Sequence, residues 1–403
     1  MSEASELAAR ARGGVTGARG PEDIHAVARL PGEWQRLFAE LGEREYRAGQ
    51  VFRAIHGRGV LDPAEMTDLP AALRTRLAES GFTPPATVAE VHRSADGTRK
   101  LVLELAGGAR VECVLIPMTK SGADEVDADV GAAVEDEGDE PESAGDEPKQ
   151  RVTLCVSTQF GCAMGCVFCA SGQAGLVRGL GAAEIVAQVL IARRYLEANE
   201  YLRNLVFMGM GEPLHHYEET ARAIRLLGHK DGLNMGPRRI TVSTVGLPPG
   251  IRRLGEDFDG KVGLAVSLHA PDDETRGRIV PMNRRYPLAE LLDALRRYPL
   301  PKRRRMTIEY TLIEGVNDSV GHARALVQTL RGLRVKVNLI PMNSITASDL
   351  GASPKARVEA FRGELTRAGL SCFLRTRRGD DVSAACGQLA LSSELVRERR
   401  RPT

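Results

Sequence analysis

A chain of 403 residues, 42% of them hydrophobic, is long enough to bury one large core and a smaller one beside it. The first thirty residues hold no apolar run of signal-peptide length and no stretch approaches about 18 consecutive apolar residues, so no membrane span is expected and a cytoplasmic location is. The formal charge of +2 conceals a polarity: residues 124–147 carry twelve acids and no base, leaving 55 basic against 41 acidic residues elsewhere, a surplus of 14 that suits a phosphate-rich partner better than an acidic one.

In chain order, residues 1–30 are rich in Ala, Arg and Gly without apolar period, and a disordered tail is expected. Residues 31–118 read as a small N-terminal helical accessory domain with linking strands. Trp34, Leu37, Phe38 and Leu41 recur at helical spacing, as do Val51, Phe52 and Ile55, then Leu73 and Leu77. Strand-like runs follow at Lys100–Leu105 and Arg110–Ile116, separated by Gly107-Gly108. Residues 119–150 are too polar and charged to offset the entropy of folding, and read as a disordered acidic insert.

From 151 to 395 short apolar strands alternate with amphipathic helices. Strands are expected at 151–157, 203–208, 238–243, 262–267, 306–312 and 334–340, with helices at 182–198, 218–228, 288–297, 319–331 and 355–369. That order predicts an α/β fold, a partial TIM-like (β/α)6 barrel with its site at the carboxyl ends of the strands; an open doubly wound sheet is the alternative. Residues 396–403 form a basic tail.

Seven cysteines is an odd number, and three of them, Cys162, Cys166 and Cys169, fall at C-x3-C-x2-C spacing directly after the first barrel strand. Three thiolates leave one corner of a 4Fe–4S cubane open to a small molecule, whereas a structural zinc would need a fourth ligand such as Cys155. The triplet resembles the cluster motif of radical S-adenosylmethionine enzymes, which implies cofactor chelation at the open iron. Polar or glycine residues recur at equivalent strand ends: Gly211 and Glu212, then Ser243, then Ser267-Leu268-His269, then Asn343. These are the candidate cofactor contacts, Glu212 offering a carboxylate to an ammonium group.

Arg377-Arg378-Gly379-Asp380-Asp381 through Ala385-Cys386-Gly387-Gln388-Leu389, with Thr153–Ser157, Gly209–Leu214, Ser267–Ala270 and Glu309–Ile313, resembles the RlmN family of adenine carbon-2 methyltransferases. The resemblance implies one 4Fe–4S cluster per chain and two S-adenosylmethionine molecules per turnover. It implies that Cys386 accepts a methyl group, that Glu112 removes the ring proton, and that Cys155 releases the product through a transient disulfide. It further implies 23S ribosomal RNA and transfer RNA as substrates, and an electron donor such as a flavodoxin or ferredoxin. The related carbon-8 methyltransferases and a non-catalytic zinc-stabilised RNA-binding protein are the competing readings. Anaerobic iron analysis separates the second, and digested-RNA mass spectrometry the first.

Overall fold

The computed structural model describes residues 24–118, 149–343, 345, 348–375, 378–385 and 387–389. Most of the expected acidic insert, the basic tail and Cys386 lie outside these residues. Residues 24–30, expected to belong to a disordered tail, are ordered: Val27 is fully buried, and the Ala28 carbonyl accepts from Arg222 at 3.1 Å.

The accessory domain holds α1 (Pro31–Glu40), α2 (Tyr46–Phe52) and α3 (Ala71–Glu79). Helix α1 opens on proline, where the missing N–H costs nothing, and the Glu33 carboxylate accepts from Leu30 N at 2.7 Å. Trp34 packs with Phe38 and Phe82 at ring-centroid separations of 5.5 and 6.3 Å, so the small core is aromatic.

Ten strands then form one sheet in chain order. Strands β1 (Ala86–Arg93), β2 (Arg99–Leu105), β3 (Arg110–Pro117) and β4 (Gln150–Cys155) pair antiparallel. From β4 onward the pairing is parallel, through β5 (Glu200–Phe207), β6 (Ile240–Thr244), β7 (Gly263–Ser267), β8 (Met306–Leu312), β9 (Val335–Pro341) and β10 (Cys372–Leu374). All six expected strands are present as β4–β9, and the first starts at Gln150, a residue assigned to the insert.

Each parallel crossover carries helix: α4 (Ala182–Ala192), α5 (Tyr217–Leu227), α6 (Pro248–Asp257), α7 (Asp273–Ile279) with α8 (Leu288–Arg297), α9 (Val320–Thr329) and α10 (Lys355–Arg367). Helix α4 stops at Ala192, short of the expected 198. Arg193 and Arg194 leave it in a tight turn, and their guanidiniums donate to the Gly57 and Gly59 carbonyls at 3.3 and 2.6 Å, pinning the accessory domain to the barrel.

The sheet is rolled rather than flat. Ile116 on β3 and Ile340 on β9 line one cavity, although six strand spacings in a flat sheet would separate those strands by about 29 Å. Rolling brings the carboxyl ends of β4–β9 around a common interior. No helix among the described residues is long and apolar enough to cross a membrane.

Candidate functional site

The loop after β4 carries Cys162, Cys166 and Cys169. Gly161 makes its first bend with φ +82°, and a Cβ there would collide with the Gly175 carbonyl. That carbonyl accepts from Cys162 N at 3.2 Å, while Val167 N donates to Ile279 O at 3.1 Å, fixing the loop at both ends. All three cysteines line one cavity. Burial pushes the Cys162 thiol up to about 12 and the Cys166 thiol well above its ordinary value, and charge on neighbouring cysteines pushes further in the same direction. Three thiols on one cavity, two of which burial keeps from ionising singly, fit a cluster whose iron replaces their protons. Cys155, the fourth ligand a zinc site would require, opens onto the adjoining cavity instead.

Facing the cysteines across that cavity are Gly211, Glu212, Ser243, Ser267, His269 and Asn343. Of the expected cofactor residues only Leu268 stands behind the wall, fully buried. The Glu212 carboxylate accepts from Leu214 N at 3.0 Å and Val245 N at 2.7 Å, so it ties two strand ends together rather than standing free. Burial raises it to about 7 despite those bonds. His269 accepts from Thr311 N through Nδ1 at 2.9 Å and presses on Phe168, its centroid 4.5 Å away. Burial, with the nearby charge of Arg276, lowers it to about 3, so the ring is neutral and its proton sits on Nε2.

Sequence reasoning missed Arg276. Wholly buried in α7, it donates to Leu268 O at 3.0 Å, to Asn283 Oδ1 at 2.8 Å and, by a short bond, to Val245 O. It therefore braces the ends of β6 and β7, where the expected cofactor contacts sit. Nothing in the string Asp272-Asp273-Glu274-Thr275-Arg276 separates it from an exposed helical arginine.

The second cavity shares Cys169, Met208, Gly209, Ile340, Asn343, Arg375 and Gly387 with the first, and adds Cys155, Arg378, Ala384, Ala385 and Leu389. Its far wall is thus the segment on both sides of Cys386, which itself lies outside the described residues. That segment is stitched to the cluster loop: Ala170 N donates to Gly387 O at 2.9 Å and Ser171 Oγ to Leu389 O at 2.7 Å.

Glu112 and Cys155 come together by strand register. Val114 pairs with Cys155 across β3 and β4, so Glu112, two residues back, shares its face as a diagonal neighbour. Both are buried, and Lys100 Nζ lies 3.0 Å from Glu112 Oε1. The Glu112 carbonyl accepts from Ser157 Oγ at 2.6 Å, and Ser157 Oγ accepts from Met210 N at 2.9 Å, which locks this strand to the turn before Gly211. Cys113, between Glu112 and Val114 in sequence, points to the opposite face and is a fully buried core thiol.

Comparison with known proteins shows likeness to radical SAM methyltransferases in both sequence and fold. Residues 156–326 match the family model described as radical SAM superfamily, and residues 32–82 match the ribosomal RNA large subunit methyltransferase N-terminal domain. A dual-specificity RNA methyltransferase RlmN from Sorangium cellulosum is 58% identical over 94% of this chain and 98% of its own length. Proteins of the same description from Anaeromyxobacter dehalogenans and Marinobacter nauticus are 44% and 42% identical over at least 93% of this chain. A crystal structure of a radical SAM methyltransferase from Sphaerobacter thermophilus superposes with TM-score 0.80 at 42% identity, covering 91% of this chain and 99% of that one.

Proposed function

The chain belongs to the RlmN family of radical S-adenosylmethionine RNA methyltransferases, and on that footing we propose that it methylates carbon 2 of adenosine in 23S ribosomal RNA and in transfer RNA. The observation that carries the proposal is that Ala385 and Gly387, on either side of Cys386, line a cavity with Cys155 and Cys169.

In this reading Cys162, Cys166 and Cys169 hold one 4Fe–4S cluster, and Gly211, Glu212, Ser243, Ser267, Leu268, His269 and Asn343 surround S-adenosylmethionine. When bound, the cluster and two cofactor molecules per turnover supply the methyl group and the radical that an unactivated aromatic C–H demands. The chain's own residues do the rest. Cys386, as thiolate, takes the methyl group and presents it to carbon 2. Glu112 removes the hydrogen of carbon 2 as a proton. The Cys155 thiolate then attacks the Cys386 sulfur. The bond from that sulfur to the product carbon breaks with its electron pair on the carbon, which takes up a proton to complete the methyl group, and the Cys155–Cys386 disulfide left behind is reopened by a cellular reductant.

The target adenosine must be unstacked to reach a cavity walled by strand ends and the C-terminal segment, which suits a loop or junction in RNA. The basic surplus outside the insert favours phosphate contacts, and a cytoplasmic site of action goes with such substrates. The cluster's electron is assigned to a flavodoxin or ferredoxin. Neither competing reading is favoured: the relatives are described as dual-specificity RNA methyltransferases of the RlmN kind, which supports an enzyme rather than a zinc-stabilised binding protein, and the RlmN likeness favours carbon 2 over carbon 8.

The test is Cys386→Ala, incubated anaerobically with unmethylated ribosomal RNA, cofactor and reductant. Loss of methylated adenine with cofactor cleavage retained supports the assignment, and unchanged methylation refutes it. For the wild type, mass spectrometry of digested RNA against synthetic 2-methyl- and 8-methyladenosine decides the carbon; 8-methyladenosine alone would overturn carbon 2.

A further inference from the structure

We infer that Lys100 is a positioning residue for proton transfer, holding Glu112 at a fixed place relative to the C-terminal loop; the inference rests on the reading of Glu112 as base and Cys386 as methyl carrier. Lys100 pairs with Val114 on β3, and Val114 pairs with Cys155 on β4, so the three side chains form a row across one face of the sheet. Glu112 is the diagonal neighbour of Lys100 on that face, and their charged atoms meet at 3.0 Å. From the other side, Lys100 Nζ donates to the Ser383 carbonyl at 3.4 Å, three residues before Cys386 in sequence.

Lys100 is only 8% exposed as a residue; a buried ammonium is costly unless it is paired, and a lysine serving merely as a packing stem would keep its charge in water. Here the charge is turned inward, onto the carboxylate and the loop. The loop is moreover fixed to the same hairpin by contacts that do not involve Lys100. Asp381 accepts from Ser94 Oγ at 2.6 Å and from Ala95 N at 3.2 Å, while Gly379 N donates to Asp96 Oδ2 at 3.0 Å. Gly379 lies at φ +63°, and a Cβ there would come 2.9 Å from Thr98 Cγ2, so the loop sits hard against the turn between β1 and β2. The accessory hairpin thus sets the distance between the loop and the strand of Glu112, and Lys100 is the side chain that spans it.

The experiment compares Lys100→Met, Lys100→Arg and Glu112→Gln with wild type, using cluster-loaded enzyme and unmethylated ribosomal RNA transcribed in vitro. Three quantities are read: methyl on Cys386 by protein mass, 2-methyladenosine by digestion, and covalent protein–RNA adduct on a denaturing gel. Without proton removal the adduct cannot collapse. Lys100→Met is therefore expected to keep Cys386 methylated, to accumulate adduct as Glu112→Gln does, and to release product at least about 100-fold more slowly, the lower range of general-base effects. Lys100→Arg is expected to restore most of the release. Wild-type release by Lys100→Met overturns the inference. So does loss of product together with loss of Cys386 methylation and no adduct, which is the signature of a merely structural lysine. Normal turnover by Glu112→Gln would instead remove the base assignment itself, and this inference with it.

Discussion

His56 gives the accessory domain an acid-sensitive core. Its ring is 1% exposed, stacks on Phe52 at 4.4 Å between centroids, and has no hydrogen-bond partner at either nitrogen. Burial, with the neighbouring charge of His229, lowers it from 6.5 to about 3. The folded state therefore binds fewer protons than the unfolded chain, and stability is intact above the unfolded value and lost as the pH falls from 6.5 toward 3. Between pH 7 and pH 5 that linkage amounts to roughly 2 kcal/mol. His56→Leu, close in volume and without a proton to take up, removes the term; at pH 7 the variant should match the wild type or exceed it by up to about 1 kcal/mol, since two unsatisfied nitrogens are gone. Trp34, the single tryptophan, lies in this domain, so its fluorescence during urea denaturation at the two pH values reports the right unfolding event. Equal acid losses in wild type and variant would refute the linkage.

Arg276→Met should strip a donor from Val245 O, Leu268 O and Asn283 Oδ1 and cost about 3–5 kcal/mol, visible in thermal denaturation. Cofactor affinity measured by calorimetric titration should fall at least tenfold, and unchanged binding would show that the braced strand ends do not serve the cofactor. Gly161→Ala forces a side chain into the Gly175 carbonyl at positive φ, and iron content per purified chain should drop below half while the accessory domain melts as before. The Arg222–Glu33 pair, at 2.8 Å and partly buried, should couple by about 1 kcal/mol in a double-mutant cycle on stability; a coupling near zero would mean the accessory domain is held by apolar contact alone.

The barrel was legible because short strands rich in apolar residues alternate with amphipathic helices and candidate polar residues fall just after them, so Cys162, Ser243, His269 and Asn343 could be assigned to strand ends without coordinates, and all four line one cavity. Strand β1 was not, since an exposed edge strand with a bulge between Val88 and Glu90 has neither an apolar run nor a clean alternation. Helix α6 was hidden by its opening Pro248-Pro249-Gly250, which reads as a breaker yet sits in a first turn that needs no N–H donors. Residues 24–28 read as tail because order there comes from burial against the barrel, a tertiary effect without local signal. Lys100 and Arg276 were invisible for the same reason. A charge turned inward looks, in sequence, like any other charge, and only register and packing reveal its direction.

The acidic insert enters at a place where length is tolerated, and that makes its removal informative. Pro117 at the end of β3 pairs with Val152 near the start of β4, and Met118 N donates to Arg151 O at 2.9 Å, so the insert closes a hairpin whose ends already meet. It leaves from the amino end of β4, whereas Cys155 lies at the carboxyl end, about 16 Å along the strand at ordinary rise. Replacing residues 121–147 by a four-residue Gly/Ser linker should therefore leave the Glu112–Cys155 register intact and, by shortening the loop, add roughly 1 kcal/mol to stability. The same change removes twelve negative charges and uncovers the basic surplus of 14, so binding to ribosomal RNA should tighten several-fold at low salt and converge with wild type at high salt. Methyl transfer to Cys386, read by protein mass, should be unaffected. A shortened chain that folds but no longer methylates Cys386 would mean the insert reaches the catalytic end, against the direction in which β3 and β4 carry it away.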